Sequence, residues 1–104
     1  MKMRPEAQRL LDAAYEHALA EYGERGYEFW RQLIGDQINL PHPDDPSKEI
    51  EIMPLWQKKP HEKILVAVSV LHMSSFLGGE PTRTFVVDTD GSLERWSKPE
   101  TDGT

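Results

Sequence analysis

The 104-residue chain contains no cysteine. Disulfides, thiolate zinc sites, iron–sulfur clusters and cysteine nucleophiles are therefore excluded. Long apolar runs are also missing, because the longest, Ile64–Val68, has five residues whereas a membrane-spanning helix needs about 20. The basic N-terminal residues are not followed by an apolar run, so we expect no secretory signal, no membrane contact and a cytoplasmic location.

The sequence has fewer basic than acidic residues. Twelve Lys and Arg stand against eighteen Asp and Glu, which gives a net charge of −6. The surplus is even, with a net −2 in each of the segments 1–36, 37–62 and 63–104. This balance argues against direct nucleic-acid binding, which needs clustered Lys and Arg side chains. The even spread of the acidic residues argues against a dense acidic mimic of DNA. Any partner attracted by charge should be basic.

Two amphipathic helices are predicted at the N-terminal end. From Pro5 to Tyr22, apolar side chains recur with the helical period on one face. A break at Gly23–Gly26 precedes a second such pattern from Tyr27 to Ile34, which ends at Gly35. We expect the aromatic residues of these helices to cover a sheet.

After residue 36 the pattern changes to alternation, which is typical of strands. The predicted strands are Gln37–Leu40, Glu49–Met53, Lys63–Met73, Thr82–Asp88 and Ser92–Trp96. Pro54 is expected to kink the second strand or to place it at a sheet edge. The third has apolar residues on both faces, which indicates a central strand. Asp90-Gly91 predicts a two-residue hairpin turn of the primed type.

Short connections between these strands require antiparallel pairing. The sequence therefore predicts an α+β fold in which two N-terminal helices pack on one face of a four- to five-stranded antiparallel meander sheet. We expect one domain over residues 1–104, with a helical part at 5–35, a sheet at 37–97 and a frayed tail at 98–104.

Motifs for enzymatic chemistry are not found. Gly78-Gly79 lacks the Lys-Ser/Thr of a phosphate loop, and the segment around Asp90-Gly91 fails the register of a calcium loop. The four histidines have no helical metal-site spacing, and Ser74 near His72 lacks a nucleophile-elbow motif. We therefore expect no catalytic residues, no cofactor and no metal, and predict that the protein is not an enzyme.

Apolar residues beside charged turns are the candidate binding features. Interfaces are enriched in aromatic anchors, and apolar residues at loop tips often mark contacts. The predicted partner-binding residues are Leu55 and Trp56 with the adjacent Lys58 and Lys59, the loop residues Phe76 and Leu77, and the acidic pair Asp44 and Asp45.

The preferred hypothesis is a small acidic protein-binding domain that docks on or occludes a partner protein, as an inhibitor, immunity-type or adaptor protein does. A basic nucleic-acid-processing enzyme is one such partner. An alternative is a small-molecule-binding domain or minor enzyme with a pocket between helices and sheet, lined by Tyr15, Tyr22, Tyr27 and Trp30 with His72 as a polar group. A third hypothesis is self-association, so both a monomer and a homodimer stay open.

Overall fold

The computed structural model describes residues 5–57, 62–73 and 80–95. Within these ranges the chain forms α1 (Pro5–Tyr22), α2 (Tyr27–Leu33), β1 (Ile38–Pro41), β2 (Glu49–Trp56), β3 (Ile64–Leu71), β4 (Thr82–Val87) and β5 (Leu93–Arg95). The five strands form one antiparallel sheet in the order β1-β2-β3-β4-β5. The predicted α+β fold is confirmed. The expected tail at 98–104 lies outside the described residues.

One face of the sheet and the apolar faces of both helices form the core. Alternate residues of each strand point toward the helices, and on the central strand β3 these residues are buried. Helix α1 lies over β3 and β4, while α2 lies over β2. The core side chains are Leu11, Ala14, Tyr15, Ala18, Trp30, Ile50, Ile52, Ile64, Val66, Val68, Val70, Phe85 and Val87. The helices therefore cover only one of the two sheet faces, here called the inner face.

Tyr15 of α1 contacts strand β4 of the sheet. Its hydroxyl donates a hydrogen bond of 2.9 Å to the Thr84 carbonyl oxygen, and its ring packs edge-to-face with Phe85. The guanidinium carbons of Arg83 and Arg95 lie 5.6 and 5.8 Å from the ring centroid. Within the described residues, both arginines also pair with carboxylates of α1, Arg83 with Asp12 and Arg95 with Glu16. These contacts fix α1 across β4 and β5.

Strand β2 departs from the prediction because Pro54 does not interrupt it. The strand continues to Trp56, with Pro54 opposite Val66 of β3, and β1 pairs with its first half. The Gln57 amide donates to the Lys63 carbonyl, so by alternation the odd-numbered residues of β2 bond to β3 and the even-numbered ones face β1. The nitrogen of Pro54 therefore faces a position before the start of β1. Since no strand pairs with β2 there, the lack of an N–H costs no hydrogen bond between strands. β2 is an interior strand along β1 and becomes an edge only beyond it.

The β4–β5 connection is a hairpin, as predicted, but its turn is of a different type. The Gly91 amide donates to the Asp88 carbonyl, and the Asp88 amide donates to the Ser92 carbonyl. Gly91 has a φ of +87°, and no non-glycine residue of this turn has a positive φ. Both primed turns need a positive φ at the first central residue, which would be Asp90 here. The connection is instead a three-residue loop, in which a type I turn is followed by a left-handed glycine.

His42 lies in the β1–β2 turn between two prolines, and its side chain is buried. Its Nδ1 accepts a hydrogen bond of 3.0 Å from the Asp44 amide, and its Nε2 lies 2.8 Å from the Leu10 carbonyl oxygen. Since a carbonyl only accepts, the proton of this imidazole is assigned to Nε2. The side chain therefore ties the β1–β2 turn to α1, and it is a structural histidine.

Candidate protein-binding surface

The face of the sheet that points away from the helices, here called the outer face, has no element packed on it within the described residues. It is formed by the residues that alternate with the core positions of each strand. These are Asn39 and Pro41; Glu49, Glu51, Met53 and Leu55; Leu65, Ala67, Ser69 and Leu71; Thr82, Thr84 and Val86; and Glu94. Most of them are half-buried by their neighbours on the sheet.

One end of the outer face is apolar. Leu55, Leu65 and Val86 are direct cross-strand neighbours, and Met53 lies opposite Ala67 in the next row. We call these five residues the apolar patch. Leu55 is 43% exposed, and within the described part of the chain it is the one large hydrophobic residue in the exposed class. Contiguous apolar side chains on a surface are typical of contact sites for other molecules.

Within the described strands, the charged residues of the outer face are acidic, and Lys63, which directly precedes β3, pairs with Asp88 at its border. Glu49 and Glu51 extend from β2, and Glu94 lies opposite Val86 at the border of the apolar patch. Both arginines of the described strands, Arg83 and Arg95, are on the inner face, where they pair with α1. Although charge is spread evenly along the sequence, the strand arginines lie on the inner face and the strand glutamates lie on the outer face. The outer face presents apolar and acidic groups together.

Leu55 and Trp56 are placed on different faces. Leu55 belongs to the apolar patch, whereas Trp56 points to the inner face, is half-buried and packs against the core. Trp56 covers one end of the core, and it does not join the surface that Leu55 forms.

Asp44 and Asp45 lie in the β1–β2 turn, which precedes Glu49 and is therefore at the opposite end of β2 from Leu55. Asp44 is exposed, while Asp45 accepts hydrogen bonds from the Ser47 hydroxyl and amide. These bonds, and to a smaller extent the charge of Lys48, hold the pKa of Asp45 below its ordinary value. Asp45 thus stabilises its own turn. The other predicted contacts, Lys58, Lys59, Phe76 and Leu77, lie outside the described residues.

A cavity of about 330 Å³ lies at this same turn end of the sheet. Its polar walls are Asn39, Ser47, Lys48, Glu49 and His72. His72 Nε2 lies 3.3 Å from Glu49 Oε1, and the backbone of His72 has a φ of +68°. A second hollow of about 190 Å³ borders the apolar patch and is lined by Val86, Glu94 and the Lys63–Asp88 ion pair.

The described residues offer no cluster of three or more His, Asp or Glu side chains arranged to hold a metal ion. None of the helices in the described ranges has the length and apolar character needed to cross a membrane. Comparison of the chain with protein-family models, curated proteins and solved structures gives no match.

The apolar patch is not among the features predicted from sequence, although its signal is present. Met53 and Leu55 alternate with buried residues of β2, and Leu65 and Ala67 do the same on β3. Apolar residues on both faces of a strand usually indicate burial on both sides. Here the helices cover one side only, so the same pattern marks a surface.

Proposed function

We propose that the protein is a protein-binding domain whose outer sheet face docks on a basic partner protein. The observation that supports this most is the composition of that face, in which a contiguous apolar patch is bordered by the carboxylates of Glu51 and Glu94, while the neighbouring Lys63 is already paired with Asp88. Protein interfaces combine an apolar centre with a polar rim. Leu55, Leu65 and Val86 supply the centre, and Glu51 and Glu94 supply the rim.

Charge complementarity favours a different protein over a second copy of this chain. Two outer faces packed against each other would bring the Glu51 and Glu94 carboxylates of both copies together, and like charges across an interface are costly. Lys63 lies nearby, but it already pairs with Asp88. A partner with Lys or Arg around an apolar centre would instead be attracted at long range by the net charge of −6. A nucleic-acid-processing enzyme has such a surface, and a cytoplasmic location fits that partner. By covering the surface, this domain would act as an inhibitor or adaptor.

The alternative, a small-molecule pocket between helices and sheet, has one observation in its favour. Trp30 is fully buried in that layer, and its Nε1 has no hydrogen-bond partner within the described residues. However, the Trp30 and Tyr15 rings both pack against Phe85, so aromatic side chains fill the space between these residues. The binding of a protein on the outer face therefore remains our proposal.

The test uses a photo-cross-linking amino acid placed in turn at position 55 and at position 20. Ala20 is exposed on α1, away from the outer face, and serves as the matched control. The protein that cross-links in the source cells is identified, purified and titrated with wild type, Leu55→Asp and Ala20→Asp.

The proposal expects cross-linking from position 55 and not from position 20, and a partner with a basic surface. Leu55→Asp should weaken binding at least about tenfold, because it places a charge in the apolar centre of the interface, while Ala20→Asp should have no effect. Higher salt should weaken binding further. Equal cross-linking at both positions, equal effects of the two variants, or a cross-linked second copy of this chain would overturn the proposal.

A further inference from the structure

The cavity of about 330 Å³ is separate from the apolar patch. It lies at the other end of the sheet, where β1, the β1–β2 turn and the end of β3 meet. Its volume is at the lower end of the range of about 300–1,000 Å³ that is typical of small-molecule sites. Pro41 and Pro46 contribute apolar walls, and their fixed backbone angles make these walls rigid.

Opposite charges stand side by side in the cavity wall. The Glu49 carboxylate is held through Oε1 by His72 Nε2 at 3.3 Å, which leaves its second oxygen able to accept a hydrogen bond. The Lys48 ammonium is held 3.6 Å from Asp45 Oδ2 and 3.3 Å from Ser47 Oγ. An ammonium has three donors, so one remains for a ligand. Both charged groups are therefore positioned by neighbours and still have hydrogen-bonding capacity.

Two further groups complete the polar wall. The Asn39 side-chain oxygen accepts a hydrogen bond from Gln37, which leaves the Asn39 amide nitrogen as a donor toward the cavity. His72 adopts the left-handed backbone conformation at φ +68°, and it is the one non-glycine residue with a positive φ in the described ranges. Such conformations are unfavourable for residues with a side chain and are concentrated at ligand-binding sites.

We propose that this cavity binds a dipolar small molecule that carries an ammonium and a carboxylate group, such as a free amino acid or the backbone of a dipeptide. The ligand ammonium binds the Glu49 carboxylate. The ligand carboxylate binds the Lys48 ammonium and the Asn39 amide, and the ligand side chain lies against Pro41 and Pro46. This site does not depend on the outer face binding a protein, because its residues lie outside the apolar patch.

The test is a titration of the full chain with each of the twenty L-amino acids. Binding is monitored through the NMR signals of the His72 imidazole and of the Lys48 and Glu49 amides. We expect at least one amino acid to bind saturably with a Kd between about 0.1 and 10 mM, since charge pairs on an open surface give modest affinity. The deaminated and decarboxylated analogues of that amino acid, which each keep one charge, should bind at least about tenfold more weakly.

Three variants assign the site. Glu49→Gln and Lys48→Gln should each weaken binding by about tenfold, because each removes one charge-assisted hydrogen bond. Glu51→Gln is the matched control, since Glu51 is the next outer-face residue of β2 and does not line the cavity. The proposal is overturned if no amino acid saturates below about 10 mM, if the single-charge analogues bind equally well, or if Glu51→Gln weakens binding as much as Glu49→Gln.

Discussion

Leu55 and Trp56 are adjacent in sequence and lie on opposite faces of the sheet. Leu55 is on the outer face beside Leu65, while Trp56 packs against the core on the inner face. Because strand side chains alternate, Leu55 belongs to the surface that we propose for recognition, whereas Trp56 contributes to the core. A variant of Trp56 therefore does not test the surface that Leu55 forms.

The first prediction separates these two roles. Trp56→Ala should lower the free energy of unfolding by about 1–3 kcal/mol, because it removes a half-buried ring from the core. Leu55→Ala should lower it by less than about 1 kcal/mol, since an exposed side chain contributes little. Urea unfolding followed by circular dichroism measures both. A larger loss for Leu55→Ala than for Trp56→Ala would contradict this assignment of faces.

The second prediction concerns the buried imidazole of His42. His42→Leu fills a similar space but removes the hydrogen bonds to the Leu10 carbonyl and from the Asp44 amide, which should cost about 1–3 kcal/mol of unfolding free energy. His42→Gln should recover part of that loss, because its amide can donate to Leu10. His17→Leu, on the half-exposed side of α1, is the control with a small expected effect. The urea-unfolding midpoints of the three variants measure the order of their stabilities. Equal effects at positions 42 and 17 would contradict a structural role for His42.

The third prediction compares the two arginines beside Tyr15. The Arg83 side chain is 9% exposed and that of Arg95 is 52% exposed. Arg83→Ala should lower the free energy of unfolding by about 1–2 kcal/mol through lost packing and cation–π contact. Arg95→Ala should cost less than about 1 kcal/mol, as exposed ion pairs do. The two thermal or urea unfolding curves provide the comparison, and the reverse order would contradict the described packing of α1.

The fourth prediction is a pH dependence located in the β4–β5 turn. Hydrogen bonds from the Ser92 hydroxyl and amide lower the pKa of Asp90 from its ordinary value near 3.8. A group whose pKa is lower in the folded state stabilises the fold above the unfolded value and loses that contribution as the pH falls through the folded value. The stability difference between wild type and Asp90→Asn should therefore be constant above about pH 5 and shrink below about pH 4.

Urea midpoints of both chains from pH 7 to pH 2.5 measure this difference. Asp45→Asn should behave in the same way, because the Ser47 hydroxyl and amide lower the pKa of Asp45. A difference that grows as the pH falls would contradict a lowered pKa of these two carboxyl groups in the folded state.

Local patterns are sufficient to predict most of the fold. Helix α1 has the predicted bounds because its apolar period is regular from Pro5 to Tyr22, and the alternation of the later segments indicates the strands. The predicted end of the second strand at Met53 is wrong, whereas the predicted edge position of Pro54 is correct, because β1 begins too late to pair with it. The position of the turn at Gly91 is correct, but Asp-Gly is compatible with more than one turn type.

The candidate surface is less accessible to sequence reasoning. Arg83 and Arg95 look like ordinary surface charges until the register places them on the inner face beside α1. The burial of His42 depends on Leu10, which is 32 residues away. Such long-range contacts decide which charges remain on the outer face, and a count of charges along the chain does not contain them.

The most direct test of the central proposal is a methyl NMR titration of the full chain with the partner that cross-links at position 55. Binding on the outer face predicts saturable shifts of the Leu55, Leu65 and Val86 methyl signals, while the Leu10 and Leu11 signals, buried on α1, stay in place. Saturable shifts confined to α1, with the Leu55, Leu65 and Val86 signals unchanged, would contradict it.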